Sequence, residues 1–218
     1  MSFAMLLEEN VGNELIKTIN KKDGVDAALD LTEAFLDTQI SDELLGNIPL
    51  LGLVVKLKNL GYSISDYYFI KKLQKFIFHL DEVSKVEREE FFQKLSEDSV
   101  HQTKVNDNLL LLLNASGDIE KPSLIGVVFS AYVRGSVSYE HFMQFSSAVN
   151  SLNSYQLKLL KEQNERLVAK AVGHALASHG LVIVSVPTLA GSSTPNYYLN
   201  DEGALFLCCL FGSEVEWD

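Results

Sequence analysis

Apolar residues recur at helical spacing along most of the chain and predict a series of short helices. The strongest pattern covers Asp66 to Leu80, where one wide apolar stripe faces inward and lysines occupy the other side. Either Ser63 or Ser65 can cap the start of this helix. Its apolar stripe consists of Phe69, Ile70, Leu73, Phe76, Ile77 and Leu80.

Local signals mark where several other helices begin and end. Ser84 followed by Glu87 fits a capping box, and Lys121-Pro122 opens a helix that stops at Gly135. The five consecutive leucines Leu109–Leu113 leave their helix without a polar side. A helix that is apolar all round is expected at the centre of its domain.

The last quarter of the chain changes from helical to mixed patterning. A helix pattern from Asn164 to His179 ends at Gly180 and is followed by the apolar run 181–186, a Pro/Gly/Ser-rich tip and Tyr197-Tyr198-Leu199. A final apolar helix spans about Asp201 to Phe211. This order is typical of a winged helix, and we expect Val182, Val184 and Val186 to face one side of a small antiparallel sheet.

The predicted fold is therefore mainly α. We expect an irregular helical bundle at residues 1–135 and a C-terminal winged-helix-like α+β domain at residues 136–218, packed against it.

Three stretches of the chain resemble known families. The stretch from Tyr198 to Phe206 resembles the end of the wing in MarR-type regulators, where a tyrosine, a leucine and a small polar cap precede a glycine. Lys121 to Tyr132 resembles a group of uncharacterised bacterial helical proteins, and residues 98–151 resemble the tellurite-resistance-type helical domain of stress operons. The first resemblance implies a winged helix, but the acid pairs that would carry metal in the tellurite family are not evident here.

DNA binding is one function that a winged helix implies. A DNA-binding winged helix would use Asn164, Arg166 and Lys170 on the predicted recognition helix. However, the chain has a net charge of −11, residues 156–218 hold four bases and seven acids, and the tip at residues 188–195 has no Lys or Arg. Phosphate contacts need bases, so the sequence favours protein contacts over nucleic acid.

A second alternative is attachment to a membrane surface through residues 44–58. The nearly unbroken apolar run at residues 44–55 precedes lysines, so Leu50 and Leu51 with Lys56 and Lys58 could form a membrane or partner surface. A buried core segment explains the same run, because it has the ordinary length of one. We favour the core interpretation.

The titratable residues supply no enzyme or metal motif. The histidines lack zinc-ligand spacing, Ser185 is not in a nucleophile elbow, and no phosphate-binding loop occurs. We therefore assign no catalytic, metal or cofactor residue and expect no cofactor. The adjacent Cys208 and Cys209 favour a reducing compartment, and no signal peptide or membrane span is predicted. We expect a non-enzymatic bacterial protein of the cytoplasm that contacts another protein, as an accessory of a stress or phage-defence system.

Overall fold

The computed structural model describes residues 11–20, 50, 52, 55, 63–163, 165–187 and 194–212. The chain divides into two compact units, Met1–Val137 and Ser138–Asp218. It is mainly helical, as the sequence predicts, and the described strands all lie in the C-terminal unit. The described helices of the first unit are α1 (Val11–Asn20), α2 (Ile64–Phe78), α3 (Lys85–Glu97), α4 (Ser99–Ala115) and α5 (Lys121–Val133). The second unit contains α6 (Tyr139–Ser151), α7 (Ser154–Lys161), β1 (Leu167–Val168), α8 (Lys170–Ala177), β2 (Val182–Ser185), β3 (Asn196–Leu199) and α9 (Asp201–Phe211).

Capping boxes fix the starts of helices in the first unit. The predicted box at α3 is confirmed, since Ser84 Oγ accepts from the Glu87 N–H at 3.3 Å and Glu87 Oε2 accepts from the Ser84 N–H at 2.8 Å. Helix α2 has the same arrangement between Ser63 and Asp66, which makes Ser63 the cap. Each box satisfies two backbone donors that a helix start would leave unpaired.

Helix α5 packs closely on α2 at the centre of the helical unit. Phe76 and Phe129 are both buried, and their ring centroids lie 5.4 Å apart. A Cβ atom at Gly126 would lie 2.4 Å from the Phe76 carbonyl oxygen, so the two helices meet where a side chain is missing. The leucines of α4 add Leu109 and Leu113 to this core.

The leucine run of α4 is less buried than the sequence predicts. Leu109, Leu110, Leu112 and Leu113 are buried, but Leu111 is 56 % exposed. Helix α4 contacts α1, α2 and α3, and these neighbours cover the sides that hold the other leucines. The prediction of a helix buried all round is therefore wrong at Leu111.

The C-terminal unit has the element order of a winged helix, and its three strands form an antiparallel sheet in the order β1-β3-β2. The predicted pairing of the stretch after Gly180 with the Tyr197-Tyr198 stretch is confirmed, with Ile183 opposite Tyr198. Gly180 ends the preceding helix region with a φ of 68°, a conformation in which glycine is favoured.

One element of this unit differs from the prediction. The stretch from Asn164 to His179 is not one helix, because Leu167 and Val168 form strand β1 and pair with Tyr198 and Tyr197. Helix α8 begins only at Lys170. The difference has a tertiary cause. Strand β3 pairs with β2 along one edge, and its other edge offers Leu167 and Val168 backbone hydrogen-bond partners that outweigh their weak helical pattern.

Candidate interaction surface

The outer face of the sheet carries a row of exposed apolar side chains. The register places Leu167, Tyr198 and Ile183 side by side across β1, β3 and β2. Residues directly opposite in antiparallel strands project to the same face. The exposed fractions of the three residues are 49 %, 36 % and 57 %, so water contacts the whole row.

The inner face of the same sheet is covered. Val168, Tyr197 and Leu199 are all buried, and β3 contacts both α8 and α9. Helix α8 approaches so closely that a Cβ atom at Gly173 would lie 2.3 Å from the Cβ of Tyr197. The sheet therefore has one face that is packed as core except at Val184, and one apolar face left open.

The register places Val182 and Val184 on the same face of the sheet, opposite Leu199 and Tyr197, as the sequence predicts, but burial does not follow along the strand. Val182 is buried, whereas Val184 and Val186 are exposed, and this adds apolar surface at the end of the strand. The segment 181–187 contains no charged residue. Apolar side chains that are exposed side by side, as in the row of Leu167, Tyr198 and Ile183, are typical of interaction sites.

The residues predicted for DNA binding are not brought together on one helix. Arg166 precedes β1 rather than lying in the recognition helix, and its Nη2 atom is 3.9 Å from Asp201 Oδ1. Lys170 is the first residue of α8, and Asn164 lies outside the described residues. An acidic neighbour at Arg166 opposes the approach of phosphate.

The proposed membrane segment is described at only a few positions. Leu50 is fully buried, and its backbone N–H donates to Thr18 Oγ1 at 3.0 Å. This is the environment expected of a core residue. Leu51, Lys56 and Lys58 lie outside the described residues. Among the helices described, none is both long enough and apolar enough to cross a membrane.

Sequence reasoning missed one polar cluster that joins two distant segments. His79 Nε2 lies 2.7 Å from Ser123 Oγ, and His79 Nδ1 lies 3.5 Å from Glu82 Oε1. The order of groups resembles a hydrolytic triad, but Nδ1 makes no hydrogen bond and the Glu82 side chain is largely exposed. A carboxylate that does not bond the imidazole cannot orient it, so we assign the cluster to the packing of α2 against α5.

The helical unit also contains an open cleft of about 360 Å³ between α3 and the end of α5. Phe91 and Tyr132 both line it and meet edge to face with centroids 4.9 Å apart, and His101 Nε2 lies 2.9 Å from the Tyr132 hydroxyl. Glu87, Glu90, Lys94 and Arg134 line it with mixed charges. Ser123 is not among the residues that line this cleft, so the cluster at His79 and the cleft are separate features.

One thiol and one histidine of the C-terminal unit have shifted pKa values. Burial, and secondarily the neighbouring Cys208, raises the pKa of Cys209 to about 11. Burial lowers the pKa of His179, whose Nε2 lies 3.0 Å from Ser151 Oγ. In the described ranges, no group of three His, Cys, Asp or Glu side chains is placed to hold a metal ion.

A comparison with protein-family models found no matching family, and comparisons with curated proteins and with solved structures found no match either. The structure is that of a mainly helical protein whose C-terminal unit has the element order of a winged helix and an exposed apolar sheet face. The resemblances to MarR-type regulators and to the tellurite-resistance-type domain stay predictions.

Proposed function

We propose that this chain is a non-enzymatic bacterial protein of the cytosol that acts through contacts with another protein, made by the outer face of its C-terminal sheet. The observation that carries this proposal is the exposed row of Leu167, Tyr198 and Ile183 on a sheet whose other face is buried. Covering the exposed halves of these side chains would contribute roughly 1 kcal/mol for each residue. Tyrosine is also among the residues that contribute most at protein interfaces.

The charges near the sheet support a protein partner over DNA. The predicted recognition helix α8 offers Lys170 as its only Lys or Arg, and Arg166 lies close to Asp201. A DNA reader needs several phosphate contacts before base contacts can give specificity. An apolar, uncharged surface instead gains free energy by excluding water against another apolar surface.

Site-specific photocrosslinking in the native host tests this proposal. A photoreactive phenylalanine analogue replaces Tyr198 in one variant and Tyr155 in the control variant. Tyr155 is also exposed, at 65 %, but it lies on α7 and not on the sheet. We expect a discrete protein adduct from position 198 and none from position 155.

The identity of the adduct decides between the alternatives. A protein adduct that disappears when Leu167 is also replaced by Asp supports the sheet face as the contact. Equal crosslinking from both positions, or no adduct from either, would show that this face is not the functional surface. An adduct with DNA would support the winged-helix regulator instead.

A further inference from the structure

Strand β2 is an edge strand with unused hydrogen-bonding groups. The central strand β3 is paired on both sides, and β1 has only two residues. The Asn200 N–H donates to the Leu181 carbonyl at 3.3 Å. This bond shows which residues of the β2–β3 ladder form hydrogen bonds with the other strand, counting every second residue from Leu181. Because antiparallel ladders alternate, Ile183 and Ser185 bond toward β3, whereas the N–H and C=O groups of Val182 and Val184 point outward.

Among the described residues, the edge of β2 carries neither a charged side chain nor a bulge. Natural proteins place charges, especially lysine, or a bulge on such strands, yet residues 181–186 are uncharged and mostly β-branched. In the part of the chain that the structure describes, no hydrogen bond reaches the outward groups of Val182 and Val184. An unprotected edge with these properties is a template for strand addition.

We infer that β2 pairs antiparallel with β2 of a second copy of this chain. A two-fold axis that passes beside Ile183 places this residue opposite Ile183 of the second copy. The outward N–H and C=O groups of Val182 then form hydrogen bonds with those of Val184 in the other copy. By symmetry, Val184 pairs in the same way with Val182 of the other copy. The two three-stranded sheets become one sheet, and the rows of Leu167, Tyr198 and Ile183 become continuous across it.

A second copy fits this edge better than a charged partner does. The chain has a net charge of −11, so two copies repel wherever charges face each other, but residues 181–187 bring no charge into the contact. Of the described strands, only β2 combines four residues with a free edge and an apolar composition. A stable interface buries about 800 Å² of surface on each partner, and a four-residue edge buries less than this. We therefore expect a weak, concentration-dependent dimer.

This inference goes beyond the proposed function, because it concerns the edge of the sheet and not its outer face. Sedimentation analysis of the purified full chain, from micromolar to near-millimolar concentration at physiological salt, which screens the repulsion between copies, tests it separately. We expect reversible dimerisation of the wild type. Val184→Pro removes an outward N–H without touching the bonds to β3 and should weaken association by about tenfold or more.

Charge substitutions at the two-fold axis give the sharpest test. Ile183→Lys and Ile183→Glu each place like charges directly opposite in the dimer, so each variant alone should be monomeric. An equal mixture of the two should associate again, because Lys then lies opposite Glu. The matched control is Val100→Lys on α4, which is also exposed and should dimerise like the wild type.

Three results would overturn the inference: a wild type that is monomeric throughout, a dimer that persists in Ile183→Lys, or a mixture that fails to associate. Far-UV circular dichroism melts establish that each variant is folded. If the wild type is monomeric while position 198 still crosslinks to a different protein, self-pairing is wrong and the proposed function stands. If the chain dimerises but no adduct of any kind forms at position 198, the proposed function is wrong.

Discussion

Replacing Gly203 by alanine tests the packing that holds the wing sheet against α9. A Cβ atom there would lie 2.1 Å from the Leu181 carbonyl oxygen and 2.9 Å from Leu199 Cδ2, whereas heavy atoms normally stay about 3.5 Å apart. The Leu181 carbonyl cannot swing away freely, because it accepts from the Asn200 N–H that precedes α9. The helix must therefore move by about 1 Å or more.

The magnitude follows from two opposing terms. Overpacking of this kind costs about 1–3 kcal/mol, whereas alanine gains up to about 1 kcal/mol over glycine inside a helix. Because the contact is with backbone and not with a flexible side chain, we expect the clash to dominate. Gly203→Ala should lose about 1–2 kcal/mol of unfolding free energy, which lowers the Tm by roughly 2–8 °C in a chain of this size.

Urea unfolding and thermal melts followed by circular dichroism measure this change. Gly117→Ala is the matched control, because a Cβ atom at Gly117 would meet nothing within 4 Å and φ is not in the left-handed region. The control should be neutral or more stable by less than about 1 kcal/mol. A Gly203→Ala variant as stable as the wild type, or more stable, would refute the close packing described here.

Two further predictions concern the core and the thiols. Leu50→Asp places an unpaired carboxylate at a fully buried position and should lower the Tm sharply in circular dichroism melts, while the wild type should not float with anionic liposomes. A folded variant together with a floating wild type would favour the membrane alternative. At about pH 8, iodoacetamide should modify Cys208 faster than Cys209 in the folded protein, because burial raises the pKa of Cys209 to about 11 and the thiolate is the reactive form. Peptide mass mapping measures both rates, and equal rates without denaturant would contradict the burial of Cys209.

The sequence alone determined features that depend on residues close together in the chain. The capping box of Ser84 and Glu87 spans three residues, and Pro122 suits a first helical turn in any context. The strand after Gly180 was also predictable, because its β-branched run is short and is bounded by glycine and proline. Such signals act locally, and so they identify helix starts and a strand without knowledge of the fold.

Only the tertiary structure decided features that depend on distant partners. Leu167 and Val168 become a strand because β3, about thirty residues further along, supplies hydrogen bonds that a two-residue segment cannot make alone. Leu111 is exposed because the neighbours of α4 cover its other sides. The open apolar row likewise exists only through cross-strand register, which places Leu167, Tyr198 and Ile183 together although each is an unremarkable apolar residue in its own segment.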